Sequence, residues 1–239
     1  MNTTFLIIAF IAEVIGTIAG FGSSTVALPL SLLFLDFKTA LVLVAFLHIF
    51  GNLGRVSFFK FGFDRNILLK FGAVSVLFTI AGAFLVSFTP QETLKGILGL
   101  FLIVYVFISW SKGLKLKATT MTALIGGGVS GFFAGLIGTG GALRGAFLTA
   151  FQLPKEKYIA TAAAIALAVD VTRLPIYLSE GYLNKDFYWF VPFIFITAIT
   201  GSFVGKKIVD RIPQNFFRRI VLLAIFIVGF KFVIDWLGA

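Results

Sequence analysis

The chain has 239 residues, of which 59% are hydrophobic and only 13% charged, where a soluble domain carries roughly 25% charged residues, so no soluble core could hide its apolar surface. A net charge of +10 would suggest nucleic acid in a soluble protein; here the lysines and arginines sit mainly in short loops between apolar runs, where they report membrane topology, and no nucleic-acid partner is expected. Cysteine is absent and histidine occurs once, which excludes disulfides, iron-sulfur clusters and thiolate metal sites and argues against zinc, so no cofactor is expected.

In chain order, the apolar runs of the first half are Phe5 to Phe21, Gly22 to Leu35, Thr39 to Phe59, Ile67 to Phe88 and Leu94 to Trp110. Those of the second are Thr119 to Ile137, Gly138 to Leu153, Tyr158 to Ser179, Phe187 to Val204 and Phe216 to Trp236. Met1-Asn2-Thr3-Thr4 lacks the positive start of a secretory signal, so the first run is expected to be retained. The third, fourth and fifth runs of each half are long enough to span a bilayer. The second is not: about 14 residues rise about 21 Å, against a hydrocarbon core of about 30 Å. The first two runs of each half therefore read as a broken pair joined at a Gly/Ser-rich junction, as two short helices or a re-entrant hairpin. This predicts an all-α integral membrane protein with eight to ten membrane segments.

The two halves are copies. Ala19-Gly20-Phe21-Gly22-Ser23-Ser24 aligns with Ile137-Gly138-Thr139-Gly140-Gly141-Ala142, and the same offset brings Asn52 onto Asp170 and Arg55 onto Arg173. With small changes of offset, Ala81-Gly82-Ala83 meets Thr200-Gly201-Ser202, and Pro90-Gln91 meets Pro213-Gln214. The expected organisation is a first repeat over 1–111, a basic cytoplasmic linker over 112–118 and a second repeat over 119–239. With Lys112, Lys115 and Lys117 inside, Lys60, Arg65, Lys70, Lys155, Lys157, Lys206, Lys207, Arg211, Arg218 and Arg219 also fall inside, and Lys38, Lys95, Lys185 and Lys231 outside. That split satisfies the positive-inside rule with both termini outside, and makes the repeats inverted, the arrangement behind alternating access around a central site.

At each junction the first amides of the following helix lack intrahelical partners, which favours an anion. Gly22, Ser23, Ser24, Thr25, Gly138, Thr139, Gly140 and Gly141 are therefore candidate substrate ligands, the hydroxyls serving as extra donors. Other glycines, in Gly16-x-x-x-Gly20, Gly131-x-x-x-Gly135 and Gly201-x-x-x-Gly205, have helix-packing spacing. Arg55, Arg144 and Arg173 lie in apolar runs, where an arginine needs an acid, water or an anionic ligand. Arg144 stands one turn past Gly141, within reach of the anion position, and has Val26 as its repeat counterpart. Arg55 could also snorkel to the interface, and Arg173 could be neutralised by Asp170 three residues earlier. Pro175 is expected to interrupt the helix just after it. Asp170, Glu13 and His48 are the candidate proton-coupling groups, Asp170 foremost because its repeat position holds neutral Asn52; each also has a plain reading as an ion-pair or hydrogen-bond partner.

Hydrolytic chemistry finds no support, since the one histidine lies in a helix-like run without a G-x-S-x-G context. The first junction with Leu28-Pro29-Leu30, and the second-half run Gly131-Phe132-Phe133-Ala134-Gly135-Leu136-Ile137-Gly138-Thr139-Gly140-Gly141, resemble the sulfite exporter TauE/SafE family of membrane permeases. The resemblance covers nearly all of both halves, including the small-residue turn of each fourth run and the Pro-Gln start of each fifth. Two departures stand out: Ser23-Ser24 where the family usually continues with glycines, and Phe147 opposite Pro29. The resemblance implies a multi-pass protein of the inner (plasma) membrane that moves small sulfur-containing anions, of the sulfite, sulfonate or sulfoacetate class, outward and with protons. Two other functions use the same features: an anion channel, which needs a continuous wet path, and a membrane assembly factor, in which glycines pack and arginines touch headgroups.

Overall fold

The computed structural model describes residues 2–19, 22–58, 62–110, 116–208 and 214–238, with the side chains of 2, 19, 58, 155 and 214–220 excepted. The described residues form helices without a strand. Most of the basic linker, together with Gly20, Lys60, Arg211 and Pro213, lies outside them. The first half runs α1 Asn2–Ala19, α2 Ser24–Ser31, α3 Phe37–Phe58, α4 Arg65–Ile67, a π-helical segment Leu68–Gly72, α5 Ala73–Leu85 and α6 Gln91–Trp110. The second runs α7 Thr120–Ile137, α8 Gly141–Leu148, a 3-10 turn Thr149–Phe151, α9 Lys155–Ser179, a 3-10 segment Lys185–Phe190, α10 Val191–Ile208 and α11 Gln214–Leu237.

Among the described residues, six stretches are long and apolar enough to cross a membrane: Phe37–Ser57, Arg65–Leu85, Gln91–Trp110, Thr120–Ile137, Glu156–Ser179 and Lys185–Ile208. The second run of each half is short, with 8 helical residues in both α2 and α8, about 12 Å at a rise of about 1.5 Å per residue. Each can cover less than half the hydrocarbon core, so the chain turns back inside the bundle. Pro175 does not end its helix. The α9 helix continues to Ser179, because Arg173, Leu174 and Tyr177 on either side of the proline are all buried against neighbours; that packing offsets the missing backbone hydrogen bond.

Small residues set how closely the halves approach. Gly127, Gly131 and Gly135 on α7 lie against the backbone of Phe71 in the π-helical segment and of Ser75 and Thr79 in α5, where a β-carbon would strike a carbonyl oxygen. Two hydroxyls seal this seam, Ser75 Oγ donating to Gly127 O at 3.1 Å and Thr79 Oγ1 to Gly131 O at 2.8 Å. Gly201 and Gly205 on α10 fit in the same way against Phe10, Glu13, Val14 and Thr17 of α1. The packing expectation for these spacings thus holds at Gly131, Gly135, Gly201 and Gly205. In both seams residue numbers rise together, so α5 runs parallel to α7 and α10 parallel to α1. The fifth-run helices pair differently: Gly96 of α6 meets Trp236 of α11, Gly99 meets Phe232, and Phe107 meets Phe226 at 6.0 Å between ring centres, so these two run antiparallel.

The halves are therefore interleaved. Each first helix packs on the fourth of the other half, with α3 and α9 together at the middle. Buried residues of α3, from Phe37 through Leu47, form much of the core, and the Gln91 side chain at the start of α6 caps α3 by accepting from the Phe37 amide at 2.9 Å. Outward-facing Leu69, Leu77, Phe84, Phe107, Ile125, Phe193 and Ile196 present an apolar surface suited to lipid.

Candidate functional site

Both junctions end up in the same place. Thr25 Oγ1 lies 3.0 Å from Thr139 Oγ1 and Ser24 Oγ donates to the same atom at 3.5 Å, which fastens the start of α2 to the turn before α8. The backbone between α7 and α8 turns through Gly138 at φ +72°, with Gly140 against the Ser130 carbonyl. Between α1 and α2 the turn uses Gly22 at φ +89°, beside the His48 ring; any β-carbon there would be strained and would press on the imidazole.

Next to this crossing lies a cavity of about 40 Å³ lined by Gly16, Thr17, Gly22, His48, Asn52, Arg55, Gly141, Arg144, Gly145, Tyr158, Ile159, Ala162 and Ala163. At roughly 10–15 Å³ per water it takes about three waters, or a compact oxyanion, and nothing bulky. It sits towards the end of the bundle where α3 finishes and α9 begins.

Among the described residues, six acidic, basic or imidazole side chains are buried, namely Glu13, His48, Arg55, Arg144, Asp170 and Arg173, and they divide into three arrangements. In the first, Arg55 Nη2 donates to Glu13 Oε2 at 2.5 Å, Nη1 to Asn52 Oδ1 at 2.8 Å and Nε to Thr17 Oγ1 at 3.3 Å. Glu13 is saturated by further donors, Ser23 Oγ and, at 3.0 Å, Ser202 Oγ. In the second, Asp170 joins both halves: Oδ1 takes Arg173 Nη2 at 2.7 Å and Oδ2 takes His48 Nδ1 at 2.6 Å. Arg173 also donates from Nη1 to Ala134 O at 2.6 Å, and Tyr177 OH reaches the Gly135 carbonyl beside it. The third is Arg144 alone. Its side chain is 6% exposed and, among the described residues, it has no ion-pair partner.

Two buried carboxylates thus face three buried arginines. The unmatched positive charge is at Arg144, in the cavity wall, one turn into α8 and close to the free first amides of that helix. A buried unpaired cation is costly in a low-dielectric interior, and an anion in the cavity would offset that cost.

Of the residues expected to hold substrate, Gly22, Arg55, Gly141 and Arg144 line the cavity. Ser24, Thr25 and Thr139 spend their hydroxyls joining the junctions, and Ser23 spends its own on Glu13. Gly138 and Gly140 shape the turn behind the wall, and Arg173 lies outside the lining. The His48 ring lines the cavity, whereas Glu13 and Asp170 stand behind it as partners of Arg55 and of Arg173 with His48. Sequence reading did not find Thr17, Asn52, Gly145, Tyr158, Ile159, Ala162 or Ala163 as lining residues. Asn52 carried a signal in its repeat match to Asp170; the others carried none.

Beside Arg173, which lies 5.9 Å over the Tyr177 ring, further side chains pack in a cluster. Tyr177 stacks with Tyr182 at 5.8 Å, Lys38 lies 4.7 Å over the Tyr182 ring, and Ser87 Oγ is 2.7 Å from the Tyr182 hydroxyl.

The sequence profile described as Sulfite exporter TauE/SafE matches residues 5–232, almost the whole chain. The chain belongs to the sulfite exporter TauE/SafE family. Among curated relatives of this TauE/SafE protein is one from Methanocaldococcus jannaschii, named "Probable membrane transporter protein", 25% identical over 237 residues that cover 89% of this chain and 88% of the relative. No solved structure matches. Family, relative and apolar helices together make this a multi-pass membrane transporter.

Proposed function

We propose that this protein carries small sulfur-containing oxyanions, of the sulfite, sulfonate or sulfoacetate class, across the plasma membrane by alternating access, outward and linked to protons. The observation that carries the anion reading is Arg144: buried, unpaired among the described residues, and in the wall of a cavity sized for a compact oxyanion. In this reading Arg144 and the amides at Gly141 hold the oxyanion, Arg55, held by Glu13, lines the same cavity, and Gly22, lacking a side chain, leaves space for the ligand. Sulfur as the central atom rests on the family alone.

Inverted repeats are supported by the directions of the paired helices. With α6 antiparallel to α11, and the short connections on either side reversing the chain, α5 and α10 point opposite ways, and so do α7 and α1, which run parallel to them. Equivalent helices of the expected repeats, 1–111 and 119–239, then cross in opposite senses, as alternating access requires. The cavity serves the side of α3's end, cytoplasmic by the distribution of basic residues; the Arg173, Tyr177 and Tyr182 cluster closes the other. When the site turns over, Arg173 takes the part that Arg55 plays on the cytoplasmic face.

Counterflow tests the reading. Proteoliposomes loaded with unlabelled sulfite should transiently accumulate radiolabelled sulfite, saturably, and the Arg144→Ala protein, still folded, should not. Flux that never saturates and shows no counterflow would make the protein a channel; no flux with any sulfur oxyanion would favour an assembly role. For the topology, single cysteines at exposed Asn66 and Asn184 in this cysteine-free chain should label from opposite faces, and labelling from one face would defeat the inversion.

A further inference from the structure

His48 is the one histidine of the chain, 3% exposed, and it belongs to the cavity wall. Its Nδ1 is 2.6 Å from Asp170 Oδ2, and Asp170 is also held by Arg173. A carboxylate accepts, so Nδ1 carries a proton and the tautomer is fixed. The other nitrogen, Nε2, is buried with no hydrogen-bond partner among the described residues and lies beside Gly22, itself a lining residue. In the neutral ring, Nε2 is then a bare lone pair at the cavity, and a lone pair repels an oxyanion. With a second proton it becomes a donor and a positive charge, well placed for one.

From this geometry we infer that His48 is the proton carrier of the transport cycle: the anion binds when Nε2 takes up a proton, and the two ligands cross together. The inference rests on the anion-site reading above and names the group that couples it to pH. Asp170, foremost on sequence grounds, is instead the positioning residue. It keeps its charge against Arg173, holds the imidazole in place and stabilises the protonated ring. Of the charged groups around His48, Asp170 from α9 touches it, with Arg173 behind Asp170; Arg144 from α8, Arg55 on its own helix and the Tyr158 phenol share its cavity, and Glu13 from α1 stands behind Arg55. Glu13 is closed off by Arg55, Ser23 and Ser202, and Asp170 by Arg173 and His48, so Nε2 is the open protonation site at the wall.

The repeat gives the carrier a sidedness. The position equivalent to His48 in α9 is Ala166, so a single imidazole, bonded across the α3 to α9 contact, serves both faces. One proton moving with one monovalent anion makes the step electroneutral. Direction then follows the product of the anion and proton gradients, and export runs when the anion accumulates on the cytoplasmic side.

The test is a calorimetric titration of the purified full-length protein with sodium methanesulfonate, which has no proton of its own to exchange near neutral pH. It is run in buffers of different ionisation enthalpy across about pH 5 to 8, where histidine changes charge. Wild type should take up about one proton per anion at the alkaline end, with affinity falling about tenfold per pH unit there. His48→Gln, which keeps an amide donor near the Nε2 position, should bind with no proton uptake and a flat pH profile. His48→Asn, which keeps only the donor to Asp170, should bind more weakly and equally flatly. Proton uptake that persists in both variants would overturn the assignment in favour of Glu13 or Asp170, and wild-type binding without proton uptake overturns it even if neither variant folds. In that last case the anion site itself stands, whereas the absence of binding at every pH, with sulfite as well as methanesulfonate, would remove the anion site and this inference together.

Discussion

Asn52-x-x-Arg55 and Asp170-x-x-Arg173 occupy the same place in the two repeats and do different things. Arg55 finds its acid on another helix, Glu13, and its guanidinium stays in the wall of the open cavity. Arg173 finds its acid one turn away on its own helix and spends a second donor on the Ala134 carbonyl, outside the lining. The same position thus lines a cavity in one half and is tied off in the other, an asymmetry that the proposed alternating access would use. Arg144, whose repeat counterpart is Val26, lines the open cavity with Arg55, and in the proposed reading it is the ligand both faces share.

The largest expected effect breaks the sealed half of this comparison. Arg173→Ala leaves Asp170 buried with His48 as its remaining partner, and should lower stability by about 3 to 5 kcal/mol, read as unfolding in detergent. Protein that survives should still bind methanesulfonate, since Arg173 does not line the cavity; lost binding at unchanged stability would move Arg173 into the site.

Arg144→Ala should do the reverse. Losing charge-assisted contacts of about 1.5 to 3 kcal/mol each, it should weaken anion binding about 10-fold or more while unfolding as wild type does, or later, because an unpaired buried cation has gone. A marked loss of stability would mean that Arg144 is a structural residue.

The interleaving of the repeats is probed by two glycines on α7. A β-carbon at Gly131 meets the Ser75 backbone, whereas one at Gly128 meets only Phe78 and Val74 side chains at 3.6 Å. Gly131→Ala should therefore lower stability by about 1 to 3 kcal/mol, and Gly128→Ala should be neutral or stabilise by up to about 1 kcal/mol. Equal effects would mean that the α5 to α7 seam is looser than described.

The smallest effect concerns the turn that leads into α4. Asp64 caps α4, accepting from the Ile67 amide at 3.0 Å and pairing with Lys157 at 3.3 Å. The Ile67 amide first, and then Lys157, hold its carboxyl below the ordinary value of 3.8. A depressed value means that the stabilisation is present above 3.8 and is lost as pH falls through the lower folded value. Asp64→Ala should cost about 1 kcal/mol near neutral pH, and the gap to wild type should close in acid; a gap that widens there would reverse the sign.

Much of the fold was legible because the bilayer enforces simple rules: apolar runs became helices, and the two short second runs stayed short. The π-helical segment at Leu68–Gly72 left no mark in composition, and Pro175 misled because tertiary packing outweighed a local penalty. At the site, Arg144 and the junction glycines were legible as charge and small residues placed where neither belongs by default. The pairing of Glu13 with Arg55 was not, since the two are 42 positions apart and no local spacing announces the contact. Nor was the contact of Ser24 and Thr25 with Thr139 of the other junction, which only the fold brings together.

The most direct test of the site is protection of a cysteine placed in its wall. Ala162 is half-buried and lines the cavity together with Arg144. In Ala162→Cys, maleimide modification should slow several-fold as methanesulfonate saturates, with sodium chloride at equal ionic strength as the control, and the slowing should vanish when Arg144→Ala is added. A modification rate indifferent to the anion, or slowed equally with and without Arg144, would contradict an oxyanion site at this cavity.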